Sequence, residues 1–197
     1  VSGLGEHYSE QLKELDRVMP ITKIVDVVQR LLAESVSIKN MRSILNSLIE
    51  WGQRERDAII IAEQVRRGLH EQICHQHGED RRMDVFMLST EFEQVLRESN
   101  RNDGTNLYMD IDASALNEMI DLVRKQCEDH LHKERVPAVV CSLDCRPFFR
   151  QLIQDSLFCI PVLSHQEISS SFEVRVLGSI EIELDQNSSP IQRGYSQ

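Results

Sequence analysis

Three stretches of this chain carry chemically capable side chains at spacings that invite a site. His70, Cys74 and His77 recur at i, i+4 and i+7. On a helix that spacing puts two imidazoles and a thiol on one face, the donors a catalytic zinc ion takes. The competing reading is a plain helix end, where histidines suit the negative end of the helix dipole and a cysteine packs as a small apolar residue. The spacing lacks the close ligand pairs of a strong zinc motif. Asp144 and Cys145 follow one strand-like run, and His165 follows another. The carboxyl ends of parallel strands collect catalytic sites, so a Cys145 thiolate with His165 as its base is one arrangement. The other gives Asp144 to the next helix as its N-cap, a role without chemistry. Asp110, Asp112, Glu118 and Asp121 gather carboxylates, but a calcium loop needs a Gly at its sixth position and a closing Glu. They read as a solvated helix face. No glycine loop of either phosphate-binding pattern occurs.

The elements that would position these residues follow from hydrophobic period. A helical pattern over 7–19 stops before Pro20, and Ile24, Val27, Val28, Leu31 and Leu32 then share one face. Met41, Ile44, Leu45, Leu48 and Ile49 make a third stripe, with Ser37 expected as its cap and Gly52 at its end. A fourth helix is expected from Asp57 to near Gly78, through Ile61, Val65, Leu69 and Ile73. After the polar stretch 78–82 the period changes. Val85 to Leu88 is strand-like, Thr90 and Glu93 have capping-box spacing, and 102–104 signal a turn. Tyr108 to Ile111 is a second short strand, followed by a long helix through Leu116, Met119, Ile120, Val123 and Cys127. Val136 to Cys141, Phe148 to Leu157 and Ile160 to Leu163 form a β-α-β unit, and Val174 to Leu177 adds an edge strand.

The expected fold class is therefore α+β, or mixed α/β: a helical subdomain at 7–77 and an α/β subdomain at 83–182, with 187–197 as a disordered tail. A net charge of −10, from 32 acidic and 22 basic residues, argues against nucleic acid, which demands a basic stripe. No apolar run approaches the roughly 18 residues of a membrane span, and no secretory leader pattern opens the chain. Five cysteines without a paired framework fit a reducing compartment. Trp51, the only tryptophan, suits a subunit interface or a core equally well. Arg54, Glu55, Arg56 and Asp57 beside it read as a solvated loop, or in an oligomer as salt bridges between neighbours.

Several longer runs resemble one protein family. Glu34 to Arg42, then Leu48 to Asp57, is similar to a segment of the large export-gate family of flagellar and injectisome type III secretion. Cys141 to Arg150 resembles its "S-x-D-x-R-x-aromatic-x-R" stretch, and 161–168 with 174–178 resembles its C-terminal signature. The order and separation are kept over residues 7–180, and Trp51 with Arg54 to Asp57 favours the injectisome branch. Lys39-Asn40 stands where the family often has Arg-Asp, and His165 where it usually has an aromatic. The six-residue lead-in matches poorly, as a tag remnant or shortened helix would.

The resemblance implies the third and fourth of four cytoplasmic subdomains, without the membrane region and the first two. It implies a homo-oligomeric ring, commonly nine subunits, on the cytoplasmic face of the bacterial inner membrane. That ring receives chaperones, effector substrates and gatekeeper proteins. It implies no enzyme and no cofactor, with Trp51, Arg54, Glu55, Arg56 and Asp57 as the candidate subunit interface. The rival function is a thiol- or zinc-dependent hydrolase built on Cys145 and His165, or on His70, Cys74 and His77.

Overall fold

The computed structural model describes residues 2–102 and 107–182; the tail expected at 187–197 lies outside them. Five helices come first: α1 (Ser2–Val18), α2 (Ile21–Ala33), α3 (Met41–Gly52), α4 (Ala58–Gly68) and α5 (His70–His77). Pro20 separates α1 from α2 because its ring fixes φ and removes an N–H donor. Helix α1 begins at Ser2, so most of the lead-in belongs to it.

Two expectations are corrected here. Ser37 does not cap α3: the cap is Asn40, whose side chain accepts from the Ser43 N–H at 3.3 Å, while Ser37 Oγ accepts from the Lys39 N–H at 3.4 Å. The Val36 and Ile38 side chains pack against the core, and 38–39 form a turn ahead of the helix. The helix expected from Asp57 to Gly78 is broken at Leu69, whose N–H turns back to the Arg66 carbonyl. Gly68 at the break brings α3 close, since a Cβ there would lie 2.6 Å from Ser47 Oγ.

A tight turn then leads into the sheet, with Asp80 and Arg81 at φ of 47° and 59° and the Glu79 and Arg82 backbones bonded to each other. Strands β1 (Arg82–Leu88), β4 (Ala138–Cys141), β5 (Val162–Ser164) and β6 (Glu173–Ile180) form a sheet in the order β5-β4-β1-β6, every pair parallel. The register of β6 against β1 slips by one residue at Leu177. Between β1 and β4 lie α6 (Thr90–Ser99), a hairpin of β2 (Asn100–Asn102) and β3 (Leu107–Met109), and α7 (Ala113–Cys127). Helix α8 (Arg146–Ile153) crosses from β4 to β5, and His165–Glu167 adds a single 3-10 turn. Ser89, not Thr90, caps α6, because its hydroxyl accepts from the Phe92 N–H at 3.2 Å.

Parallel sheets bury both faces. Alternation along the strands sends Met83, Val85, Ala138, Val140 and Leu163 into one core with α2 to α5. It sends Phe86, Leu88, Val139, Cys141 and Val162 into a second core with α6, α7 and α8. The helical layer and the α/β layer thus share the sheet.

Candidate functional site

Where the helical layer meets the end of the sheet, five charged side chains from four elements converge in the interior. Glu63 and Arg66 stand three residues apart on α4, Glu34 ends α2, Arg146 opens α8, and Glu167 sits in the turn after β5. Arg146 is 2% exposed. It donates through Nη1 and Nη2 to the two Glu34 oxygens at 2.7 and 2.8 Å, and through Nε and Nη2 to Glu63. Arg66 donates Nε to Glu167 Oε1 at 2.6 Å and places Nη1 3.3 Å from Glu34. Both guanidiniums also reach the Val162 carbonyl. Glu167 is fixed in turn by the N–H and hydroxyl of Ser164, at 2.6 and 2.9 Å.

The cluster holds three carboxyls against two guanidiniums, so fully ionised it would leave an unbalanced charge among largely buried groups. The carboxyls sharing Arg146 are driven apart. Burial pushes Glu63 up, and Arg146 does not fully reverse it. Burial also acts to raise Glu34, but Arg146 and then Arg66 outweigh it and bring its pKa down to about 2. Such a forked, buried arrangement specifies geometry more than it adds net stability, because desolvation cancels much of the attraction. It holds the two layers in one orientation.

A cleft of about 470 Å³ opens over the cluster, lined by Leu31, Ile59, Glu63, Arg146, Arg150 and Phe158 among others. Phe158 is 78% exposed. Arg150, on the same wall, donates to the Ile160 and Phe158 carbonyls at 2.9 and 3.5 Å. Burial, together with the nearby cations Arg146 and Arg66, holds its pKa below the ordinary arginine value, with Glu34 opposing.

The chemical candidates do not assemble. Cys74 is fully buried; its thiol donates to the Glu167 carbonyl and accepts from the Ser169 N–H, both at 3.2 Å. His70 Nδ1 lies 2.8 Å from the Arg67 carbonyl. Burial brings His77 down to about 4. Among the described residues no three His, Cys, Asp or Glu side chains are placed to hold a metal ion. Cys145 is buried with its thiol on the Glu93 carbonyl, and burial pushes it up to about 12, the reverse of what a thiolate nucleophile needs. His165 is exposed. The carboxyl end of β4 is filled by Glu93, which accepts from the Ser142 N–H and hydroxyl, both at 2.6 Å. Asp144 does not cap α8, whose N-cap residue Cys145 offers no side-chain bond. Its carboxylate is drawn to Arg97 at 2.7 Å instead. Of the acidic group, Asp112 caps α7, and Asp121 and Asp110 pair with Arg124 and Arg101.

At the corner between α3 and α4, Trp51 packs half-buried on the helical core, with the Arg54 guanidinium 5.6 Å from its ring centre. Glu55 accepts from the Arg56 and Asp57 N–H groups, and Asp57 caps α4 at Ile59. The two acids therefore have work within the chain, and the exposed arginines face solvent.

Periodicity missed the buried cluster, because a charged residue breaks an apolar stripe without saying what it meets. Glu34, Arg146 and Glu167 each lie in one of the runs that carried the family resemblance, and that was the available signal. A helical layer joined by buried ion pairs to a parallel α/β layer defines a two-layer, mixed α/β class of protein. The chain belongs to the FHIPEP family, which matches residues 1–173, the lead-in included. It is 31% identical over 174 residues to Low calcium response locus protein D of Yersinia pestis, covering 88% of this chain and 25% of that protein. It is 31% identical over 177 residues to Invasion protein InvA of Salmonella typhimurium, covering 90% and 26%. The chain thus spans about a quarter of the length of the curated relatives it matches. Among solved structures it is similar to nonameric EPEC SctV-C, with a TM-score of 0.80 and 30% identity over 91% of this chain and 54% of that one. It is also similar to the Chlamydia pneumoniae CdsV and CdsO protein complex, with a TM-score of 0.82 and 28% identity over 91% and 53%. These are type III secretion proteins of injectisomes, as the resemblance implied.

Proposed function

We propose that this chain is a ring-forming and docking portion of a type III secretion export gate, working at the cytoplasmic face of the bacterial inner membrane. Its role in this reading is to receive chaperone–substrate and gatekeeper proteins for export, not to catalyse a reaction. The observation that carries the ring is helix α2, which is apolar on two sides. Val27 and Leu31 are buried in the helical core, while Ile21, Val25 and Leu32 stand 67%, 45% and 50% exposed on an adjoining face. A helix that serves one core needs one stripe. A second stripe suits a neighbouring copy, and the nonameric relative supplies the precedent. The exposed Arg54 and Arg56 add orientation to that contact, since rim charges steer and align more than they bind. A heterologous ring closes when each subunit gives one face and accepts another.

The test places Val25→Glu with Leu32→Glu, and separately Arg54→Glu with Arg56→Glu, in the longer protein and in this chain. Thermal unfolding of the chain should change by less than about 0.5 kcal/mol for the arginine pair, the usual range for surface positions. Ring assembly and secretion should fall for both pairs. Normal assembly and secretion from a stably expressed α2 double variant would refute the reading.

A further inference from the structure

We propose that the cleft over the buried cluster is a docking site for a partner segment that presents an acidic side chain beside an apolar one, with Arg150 taking the carboxylate and Phe158 the apolar group. The proposal rests on the docking half of the reading above and is independent of the ring.

The argument begins with the charges that line the cleft. Glu34 and Glu63 are consumed by Arg146 and Arg66 at its floor. Arg30 is paired with Asp26 at 2.8 Å. Arg150 is different. Its bonds run only to the neutral carbonyls of Ile160 and Phe158, and no carboxylate of the described residues lies within ion-pair distance of it. Asp155, also at the rim, is exposed and does not pair with it. A half-buried guanidinium normally finds an anion, because losing water without gaining a counter-charge is unfavourable. Two carbonyl bonds use only part of its five donors, so the fork retains capacity for a carboxylate.

Phe158 supplies the second half. At 78% exposed it is the most exposed large hydrophobic side chain among the described residues, and its own carbonyl accepts from Arg150. Arg150 and Phe158 thus both line a cleft of about 470 Å³. Leu31, Ile59 and Ala62 continue an apolar wall inward. Volume, apolar wall and a few aimed polar groups are what a recognition pocket combines. Aromatic and arginine side chains are both enriched at protein interfaces. An acidic amphipathic helix, with Glu and Leu four residues apart on one face, offers the complementary charge and apolar group together.

The probe is a fluorescein-labelled helical peptide, about four turns long, carrying Glu and Leu at i and i+4, titrated with this chain and read by polarisation. Its partner probe has Gln for each Glu. The Glu peptide should bind about tenfold more tightly than the Gln peptide, as a charge-assisted hydrogen bond would give, and added salt should weaken it. Arg150→Gln should remove that preference and Arg150→Lys should keep part of it. Because Arg150→Gln also loses the bond to Ile160, Phe158→Ala gives an independent arm on an exposed side chain; it should weaken both peptides. Asp155→Asn should strengthen the Glu peptide. Equal affinity for the two peptides, indifference to both Arg150→Gln and Phe158→Ala, or no saturable binding up to about 1 mM would each overturn the proposal. The α2 variants leave the cleft intact, so their failure to affect assembly would refute the ring while peptide binding persisted.

Discussion

Replacing Arg146 by Ala should be among the most damaging single changes in the molecule. The guanidinium is 2% exposed and supplies two bonds to Glu34 and two to Glu63. Without it Glu34 keeps only Arg66, 3.3 Å away, and Glu63 loses both of its charge-assisted bonds. Removing one partner of a buried ion pair costs about 3 to 5 kcal/mol, because a desolvated charge is left uncompensated. For a domain of this size each kcal/mol moves the melting temperature by about 2 to 4 °C, so the drop should be roughly 6 to 20 °C. The assay is urea and thermal unfolding at neutral pH, in the original background and with Glu34→Gln and Glu63→Gln both present. In the second background no buried carboxylate is stranded, and the cost of Arg146→Ala should fall by more than half. A loss below about 1 kcal/mol, or an equal loss in both backgrounds, would refute the account in which Arg146 neutralises these two carboxyls.

Glu34, held at about 2 against an ordinary 4.5, has a depressed folded pKa, so its stabilisation is complete above about 4.5 and disappears as pH falls toward 2. That window should remove roughly 3 kcal/mol of stability, and Glu34→Gln should flatten it in an acid titration of the urea midpoint. His77, brought from 6.5 to about 4 by burial, is neutral when folded. The unfolded chain therefore takes up its proton first, stability falls as pH drops from about 6.5 toward 4, and His77→Gln should reduce the difference between urea midpoints at pH 7 and pH 5. Asp144→Ala should cost less than about 1 kcal/mol in thermal unfolding, because its carboxylate is 61% exposed and pairs with Arg97 rather than capping α8; a loss near 2 kcal/mol would restore the capping role.

The helices and strands of this chain are legible in its sequence because their signals are local. The stripe of Val27 and Leu31, the apolar run from Val85 to Leu88 and the break at Pro20 are each set by residues within a few positions of one another. The β-α-β unit from Ala138 to Ser164 was legible for the same reason, and the family resemblance rested on runs of contiguous residues. Caps were less legible. Ser37, Thr90 and Asp144 were each plausible by type, yet Asn40 and Ser89 hold the bonds for the first two helices and Arg97 takes the Asp144 carboxylate. The spacing of His70, Cys74 and His77 was equally compatible with a metal and with packing, until Cys74 was seen bonded to Glu167 and Ser169. The charged cluster was decided by tertiary structure alone. Arg66 and Glu167 are 101 residues apart, Glu34 and Arg146 are 112 apart, and Glu63 and Arg146 are 83 apart. A charge on an apolar helix reads in isolation as a surface residue. Only when the sheet carries α8 and the turn after β5 against α2 and α4 does each of these charges lose its water and meet its partner.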